Sequence, residues 1–380
     1  MNFAKQGDIS LRQAKEILAS FSALCLCTCI APGIEAQSSD TPLFEPGSTL
    51  DFTFESSELK LSGIFDVPET QDTKALIIFV HGYGPTNVRE WNAYADLRQR
   101  FNDIGIATAV WDKPGLGESE GEFDINQSVY ESAQEVVDAA KTLRELDAPG
   151  SERIGIWGLS RAGWIAPISL SMDSDIDFWI SVSGTTKEDN FSYLLLSNLP
   201  YEGGSFEEAA LLADEWRDGC EIRRAKGSFE DYQAATVNLR ANEYILQQRG
   251  PWQTREQYDA QRESCGEGSC QKLEDDMCSY IYIDDFDDML SSVSVDVLAI
   301  FGEKDLNIDW RKTRAFYADT LGNNPEASLE MYAFANADHN LNIAEIGSIK
   351  EMQSGAPRQK PDGYYDIQID WLRKNILSSE

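Results

Sequence analysis

Histidine is nearly missing from this chain: His81 and His339 are the only two in 380 residues. Imidazole is the side chain whose ordinary pKa suits proton transfer near neutrality, so chemistry that needs a histidine base must use one of them. Basic residues are scarce as well, with 32 Lys and Arg against 65 Asp and Glu and a formal charge of −33. That balance argues against a basic face for nucleic acid or anionic membranes. It suits a soluble secreted protein, or one from a salty habitat, with a highly solvated surface. Phosphate-cradling loops are absent, because Gly115 and Gly117 fit neither G-x-x-x-x-G-K-[ST] nor G-x-G-x-x-G. No internal repeat is evident. The longest apolar segment near the N-terminus, Ile17 to Ala31, falls short of the roughly 20 residues a membrane span takes.

That segment follows Lys5, Arg12 and Lys15 and precedes the small residue Ala36. Residues 1–36 are therefore expected to be an export signal, with an uncleaved anchor as the alternative because the charged leader is longer than usual. The expected location is secreted or periplasmic, without stable membrane association once the signal is removed. Cys25, Cys27 and Cys29 follow Leu or Thr, a poor setting for lipid attachment. Cys220, Cys265, Cys270 and Cys278 remain, an even number compatible with two disulfides in an oxidising compartment and three possible pairings. A zinc site is the rival reading, but no histidine lies nearby and no C-x-x-C pair is present.

What is present is an alternation of short apolar runs and amphipathic segments. Thr49 to Val67 reads as an antiparallel hairpin at a sheet edge. Strands are predicted at Ala75–Val80, Ile106–Trp111, Ile154–Trp157, Phe178–Val182, Val297–Phe301 and Leu329–Tyr332. Helices are predicted at Glu90–Phe101, Gln127–Leu146 and Arg161–Met172. Such alternation implies an α/β protein with a mostly parallel sheet covered on both faces. The rhythm breaks between Gly184 and Ser292, where helical segments are predicted around Phe206–Arg224, Phe229–Gln248 and Glu256–Glu263. A helical insertion at 185–291, carrying the four cysteines, would split the core into 37–184 and 292–380. Leu194, Leu195, Leu196, Leu199, Tyr201, Trp216, Tyr244 and Trp252 could line a pocket there, although core packing of the insertion accounts better for most of them.

Four segments carry chemistry. In Gly158-Leu159-Ser160-Arg161-Ala162-Gly163 a serine stands between small residues at a strand-to-helix junction, the context of a nucleophile elbow. His81-Gly82-Tyr83-Gly84 follows a buried strand, and its glycines let backbone approach a substrate carbonyl. The N–H groups of Tyr83 and Arg161 are the expected oxyanion donors, and His81 is expected to orient the loop. Asp305, just past the apolar run ending at Gly302, is the expected acid, with Glu303, Asp309 and Asp338 as rivals. His339, in Ala337-Asp338-His339-Asn340, is left as the base. The order serine, acid, histidine along the chain is that of the α/β-hydrolases.

These segments, with Trp111-Asp112-Lys113-Pro114-Gly115-Leu116-Gly117-Glu118-Ser119 as a D-x-x-G-x-G-x-S turn, resemble the α/β-hydrolase superfamily over Leu50 to Val182 and Val297 to Leu377. The nearest resemblance is to bacterial serine hydrolases between the esterases and the prolyl-oligopeptidase and serine-aminopeptidase-like groups. Ala162, where a second glycine is usual, is a mild departure. The resemblance implies an α/β-hydrolase fold with a helical cap, no cofactor or metal, and hydrolysis of a small-molecule carboxylic ester through an acyl-enzyme. A serine peptidase or amidase acting on a short peptide is the alternative, and a non-catalytic binding protein on the same fold the third. Asp284 to Asp288 does not fit an EF-hand and reads as an acidic turn. Asn126-Gln127-Ser128 and Asn190-Phe191-Ser192 fit the glycosylation sequon.

Overall fold

The computed structural model describes residues 43–378, apart from 71, 126, 187–189, 250–251, 265–282 and 284–285. The expected signal, Cys265, Cys270, Cys278, Asp284 and Asp285 therefore lie outside the described residues, whereas Phe286, Asp287 and Asp288, read as part of an acidic turn, begin a helix. The first half contains β1 (Thr49–Ser56), β2 (Leu59–Asp66), β3 (Ala75–Val80), α1 (Ala95–Asn102), β4 (Ile106–Trp111), α2 (Val129–Glu145), β5 (Ile154–Leu159), α3 (Ala162–Met172) and β6 (Ile176–Val182). Among the described residues seven α-helices follow: α4 (Asn190–Asn198), α5 (Phe206–Arg224), α6 (Phe229–Ala235), α7 (Val237–Ala241), α8 (Glu243–Arg249), α9 (Arg255–Ser264) and α10 (Phe286–Ser291). The sheet pattern then resumes with β7 (Asp296–Gly302), α11 (Trp310–Thr320), β8 (Ser328–Phe334), α12 (Ile349–Met352) and α13 (Tyr364–Leu372).

The strands form one sheet in the order β1-β2-β4-β3-β5-β6-β7-β8. β1 and β2 form the predicted antiparallel hairpin, β2 joins β4 antiparallel, and every later pairing is parallel. Alternation along β3 shows why the middle strands are apolar throughout. Leu76, Ile78 and Val80 pack on one face with Ala133 and Val136 of α2 and Ile165 of α3. Ala75, Ile77 and Phe79 pack on the other with Leu97 and Phe101 of α1 and Trp371 of α13. A strand covered by helices on both faces has no polar side to show. Fully burying each large aliphatic side chain contributes roughly 1.5–3 kcal/mol.

Three departures from the sequence reading have local causes. α1 begins at Ala95 rather than Glu90, because Asn92 and Tyr94 take left-handed backbone, at φ 48 and 58. The single helix predicted for Phe229–Gln248 is divided into α6, α7 and α8. Thr236 leaves helical geometry (φ −122), with its hydroxyl bonded back to the Tyr232 carbonyl, and Asn242 is extended. α13 was not predicted, although Tyr364, Gln368, Trp371 and Leu372 fall on one buried face at helical spacing. Within the run of helices, Leu195, Leu199 and Trp216 are buried together, with Tyr244 and Trp252 packed against them. Those candidate pocket residues thus serve the insertion's own core, whereas Leu196 and Tyr201 are exposed. Among the described residues, no helix is long and apolar enough to cross a membrane.

Gly155 in β5 shows how closely the sheet is packed, since a Cβ there would stand 2.1 Å from the Phe178 ring. Gly155→Ala should destabilise the protein by about 1–3 kcal/mol through overpacking. The measurement is the shift of the denaturation midpoint, and an unchanged or raised midpoint would show that the Phe178 ring gives way freely.

Candidate active site

β5 runs straight into α3, and the junction residue is Ser160, held at φ 55. A non-glycine residue in left-handed backbone is costly and persists only where its surroundings enforce it. The enforcement is visible. The Ser160 N–H is bonded to the Val182 carbonyl at 2.8 Å, and its carbonyl accepts from the Gly163 N–H at 2.7 Å. Gly158 is required because a Cβ would stand 2.6 Å from the Ala162 Cβ, and Gly163 because one would lie 2.5 Å from the Thr185 nitrogen. With Gly158 in place, Ala162 fits, so the departure noted in the sequence leaves the turn intact. The N-terminal end of α3 lies directly behind the serine, where its dipole and N–H groups favour negative charge.

The Ser160 hydroxyl lies 2.8 Å from His339 Nε2, and His339 Nδ1 lies 2.7 Å from Asp305 Oδ2. The carboxylate can only accept, so Nδ1 carries the proton and Nε2 is free to accept from the serine. The other Asp305 oxygen accepts from the N–H groups of Asn307 and Ile308, at 2.8 and 2.9 Å. Both oxygens are thereby held, and the carboxylate cannot turn away. Of the rival acids, Asp309 caps α11. Asp338 is buried against Arg358 and accepts from the N–H groups of Asn340 and Asn342. Glu303 is exposed, and its backbone N–H is bonded to the Phe334 carbonyl. Only Asp305 meets the imidazole.

The His81 to Gly84 loop passes over the same serine. A Cβ on Gly82 would lie 3.4 Å from the Ser160 Cβ and from the Leu159 carbonyl oxygen. His81 faces away from the serine: its Nε2 donates to the Trp111 carbonyl at 2.6 Å, and Nδ1 accepts from the Tyr94 hydroxyl at 3.2 Å. The ring stacks on Tyr94, with centroids 5.7 Å apart. The Arg161 guanidinium stands 5.5 Å from the centre of the Tyr83 ring and is bonded to the Ser132 hydroxyl and the Gln127 carbonyl.

A strand order in which a hairpin precedes a crossed parallel sheet, with a serine at a left-handed turn after β5 and an acid and a histidine after β7 and β8, leaves one architecture. The fold is that of the α/β-hydrolases. No family model matches the chain. The quorum-quenching protein AidA of Acinetobacter baumannii is 29% identical over 153 residues, which are 40% of this chain and 49% of that protein. The chain thus spans about half the length of this curated relative. Among solved structures, DcsB in complex with its substrate analogue is 14% identical and matches 87% of this chain and all of its own, at a TM-score of 0.51. An esterase of Pyrococcus furiosus is 13% identical over 87% of this chain and 93% of its own, at a TM-score of 0.48.

Several residues that position this site were not singled out from the sequence. Ser183, at the end of β6 and held at φ 50, donates its hydroxyl to the His339 carbonyl at 2.6 Å. Lys113, read only as one position of a turn, donates to the carbonyls of Gly82 and Gly84 at 2.6 and 2.8 Å. Lys304 and Lys360 grip the loop around His339 through the carbonyls of Ala344, Glu345 and Asn340. Tyr193 and Asn198 of α4 bond the carbonyls of Asp305 and Leu306, at 2.9 and 2.7 Å, which fastens the insertion to the acid loop. A lone serine, lysine or tyrosine carries no spacing pattern, so no sequence signal pointed to them. Among the described residues, no three His, Cys, Asp or Glu side chains are grouped to hold a metal ion.

The two histidines titrate in opposite directions. Burial, with the nearby Lys113 charge, brings His81 down to about 4. Burial also opposes charge on His339, but the Asp305 carboxylate and its hydrogen bond outweigh this and raise its pKa above 6.5. Imidazole NMR titration should therefore resolve one residue protonating above 6.5 and another that stays neutral until about 4. Asp305→Asn should lower the first and leave the second in place. For His81 the folded pKa lies below the unfolded value, so its contribution is full above pH 6.5 and is lost as pH falls toward 4. The loss amounts to about 3 kcal/mol of stability. His339 has the opposite sign: its contribution is present below its unfolded pKa and is lost as pH rises through the raised folded value. Two histidines titrating together near 6.5 would contradict this assignment.

Proposed function

We propose that this protein is a serine hydrolase that cleaves carboxylic esters through an acyl-enzyme. The observation that carries the reading is the continuous hydrogen-bond path from Ser160 through His339 to Asp305, starting from a serine in left-handed backbone. In the first half-reaction His339 Nε2 takes the hydroxyl proton while Ser160 Oγ bonds the substrate carbonyl carbon. The resulting oxyanion is received by the N–H groups of Tyr83 and Arg161. Collapse breaks the bond to the alcohol oxygen, which leaves with the proton from His339. Water then attacks the acyl-enzyme with His339 as base, releasing the acid and restoring the serine. Throughout, Asp305 keeps the Nδ1 tautomer and stabilises the imidazolium.

The insertion, fastened to the acid loop through α4, is read as a cap that limits access to the serine. The export reading rests on the even number of cysteines that follow the expected signal, Cys220, Cys265, Cys270 and Cys278, which suits disulfides in an oxidising compartment.

A serine-directed fluorophosphonate should label the wild type and leave Ser160→Ala unlabelled. Ser160→Ala and His339→Ala should each lower ester turnover by at least about 10⁴-fold. Equal labelling of wild type and Ser160→Ala would end the nucleophile assignment. A panel of acyclic and cyclic esters beside matched aminoacyl and peptidyl amides separates the two hydrolase readings. Faster turnover of the amides would replace esterase with peptidase.

A further inference from the structure

Lys113 lies just after β4, on the turn that runs under the His81 to Gly84 loop, and its ammonium bonds the carbonyls of Gly82 and Gly84 at 2.6 and 2.8 Å. Those carbonyls flank Tyr83. A peptide unit is planar and trans, so the Gly82 carbonyl and the Tyr83 N–H belong to one rigid plane and point in opposite directions. Holding the first fixes the direction of the second. Without such a hold the plane would be loosely set, because it is bordered by glycine at position 82 and followed by Gly84 at φ 85, and glycine torsions rotate with little steric resistance.

We propose that Lys113 is a positioning residue for the oxyanion loop: by clamping the carbonyls on either side of Tyr83, its ammonium aims the Tyr83 N–H at the reacting carbonyl. The proposal rests on the serine hydrolase reading. It also accounts for a half-buried lysine beneath the loop. The groups that face it are Arg161 at the start of α3, Glu135 on α2, and neutral His81 on the loop. Beyond them a cavity of about 260 Å³ is lined by Lys113 with Gln127, Glu131, Glu135, Glu122 and Asp124. Glu135 is itself held by the Trp111 indole at 3.1 Å and by Gln127. The pair of cations around one buried carboxylate leaves Lys113 only partly compensated. Burial, reinforced by Arg161, brings its ammonium down to about 7. The clamp therefore weakens as pH rises through neutrality, while His339 must lose its proton to act as base. The activity profile is expected to be a narrow bell, with an acid limb from His339 and an alkaline limb from Lys113.

The test compares wild type, Lys113→Met and Lys113→Arg by ester kinetics across pH, with thermal melting and fluorophosphonate labelling alongside. Losing one oxyanion donor outright lowers turnover by about 10²–10³-fold, so a misaimed one should lower the Lys113→Met kcat by about 10–100-fold, with KM within about twofold. Lys113→Arg keeps its charge at all accessible pH values. It should recover part of kcat and move the alkaline limb upward. A Lys113→Met enzyme with wild-type kcat, or one whose loss comes with a lowered melting temperature and an unchanged pH profile, would overturn the proposal. Labelling of Ser160 in the wild type distinguishes that outcome from failure of the hydrolase reading. If Ser160→Ala still turned over the ester, both would fall together.

Discussion

The left-handed backbone of Ser160 is the constraint on which the rest of the site depends. Such a conformation in a non-glycine residue costs on the order of 1–3 kcal/mol, and here it is offset by the buried sheet around it. The Val182 carbonyl takes the Ser160 N–H, and the Gly158 and Gly163 contacts leave no room for a relaxed turn. The result is a hydroxyl presented at the end of β5 with α3 directly behind it. Each neighbouring element then has a fixed task relative to that one atom. β3 brings in the glycine loop, β7 the carboxylate and β8 the imidazole.

Distances at such a site must hold to fractions of an ångström, yet every contributing residue sits on a loop. The structure meets this with cations bonded to backbone carbonyls. Lys113 holds the loop on both sides of Tyr83, Lys304 ties the acid turn to Ala344 and Glu345, and Lys360 donates to the Asn340 carbonyl next to His339. Arg358 donates to the Glu351 carbonyl and also to the carboxylate of buried Asp338. In a chain with 32 basic residues against 65 acidic ones, this use of positive charge is notable. An ammonium can direct three N–H bonds at once, so one lysine can fix two peptide planes that lack regular secondary structure. Burial makes two of these ammonium groups stronger acids: Lys360 is brought down to about 8 and Lys113 to about 7.

What could be read from the sequence follows from this division. The strands were legible because β3, β4, β5 and β7 are covered on both faces and so are apolar at nearly every position. Ser160 and His339 were legible because a small-residue turn and a near-absence of histidine leave few choices. Asp305 was legible only as one of several carboxylates after a strand, and its distinction from Asp338 comes from a spatial fact, the placement of Arg358. The division of the long helix at Thr236 and Asn242 was hidden because the amphipathic pattern continues across both breaks. The residues that tie loops together left no trace, since a lysine bonded to a carbonyl looks in sequence like any solvated lysine. Local periodicity records burial; it does not record which loop a side chain reaches.

The two histidines carry this argument to its end. Both are buried, and burial alone disfavours charge on either. His81 meets a backbone carbonyl, a phenol and a nearby ammonium, none of which stabilises a proton enough to offset burial, so it stays neutral and serves as a rigid strut between β3, β4 and Tyr94. His339 meets a carboxylate already fixed by two N–H groups, and that single difference reverses the sign of its shift. A strut gains from being unable to take a proton, whereas the base proposed for His339 must be able to take one at neutral pH. The surroundings thus assign opposite tasks to identical side chains, and the assignment rests on which of them Asp305 can reach.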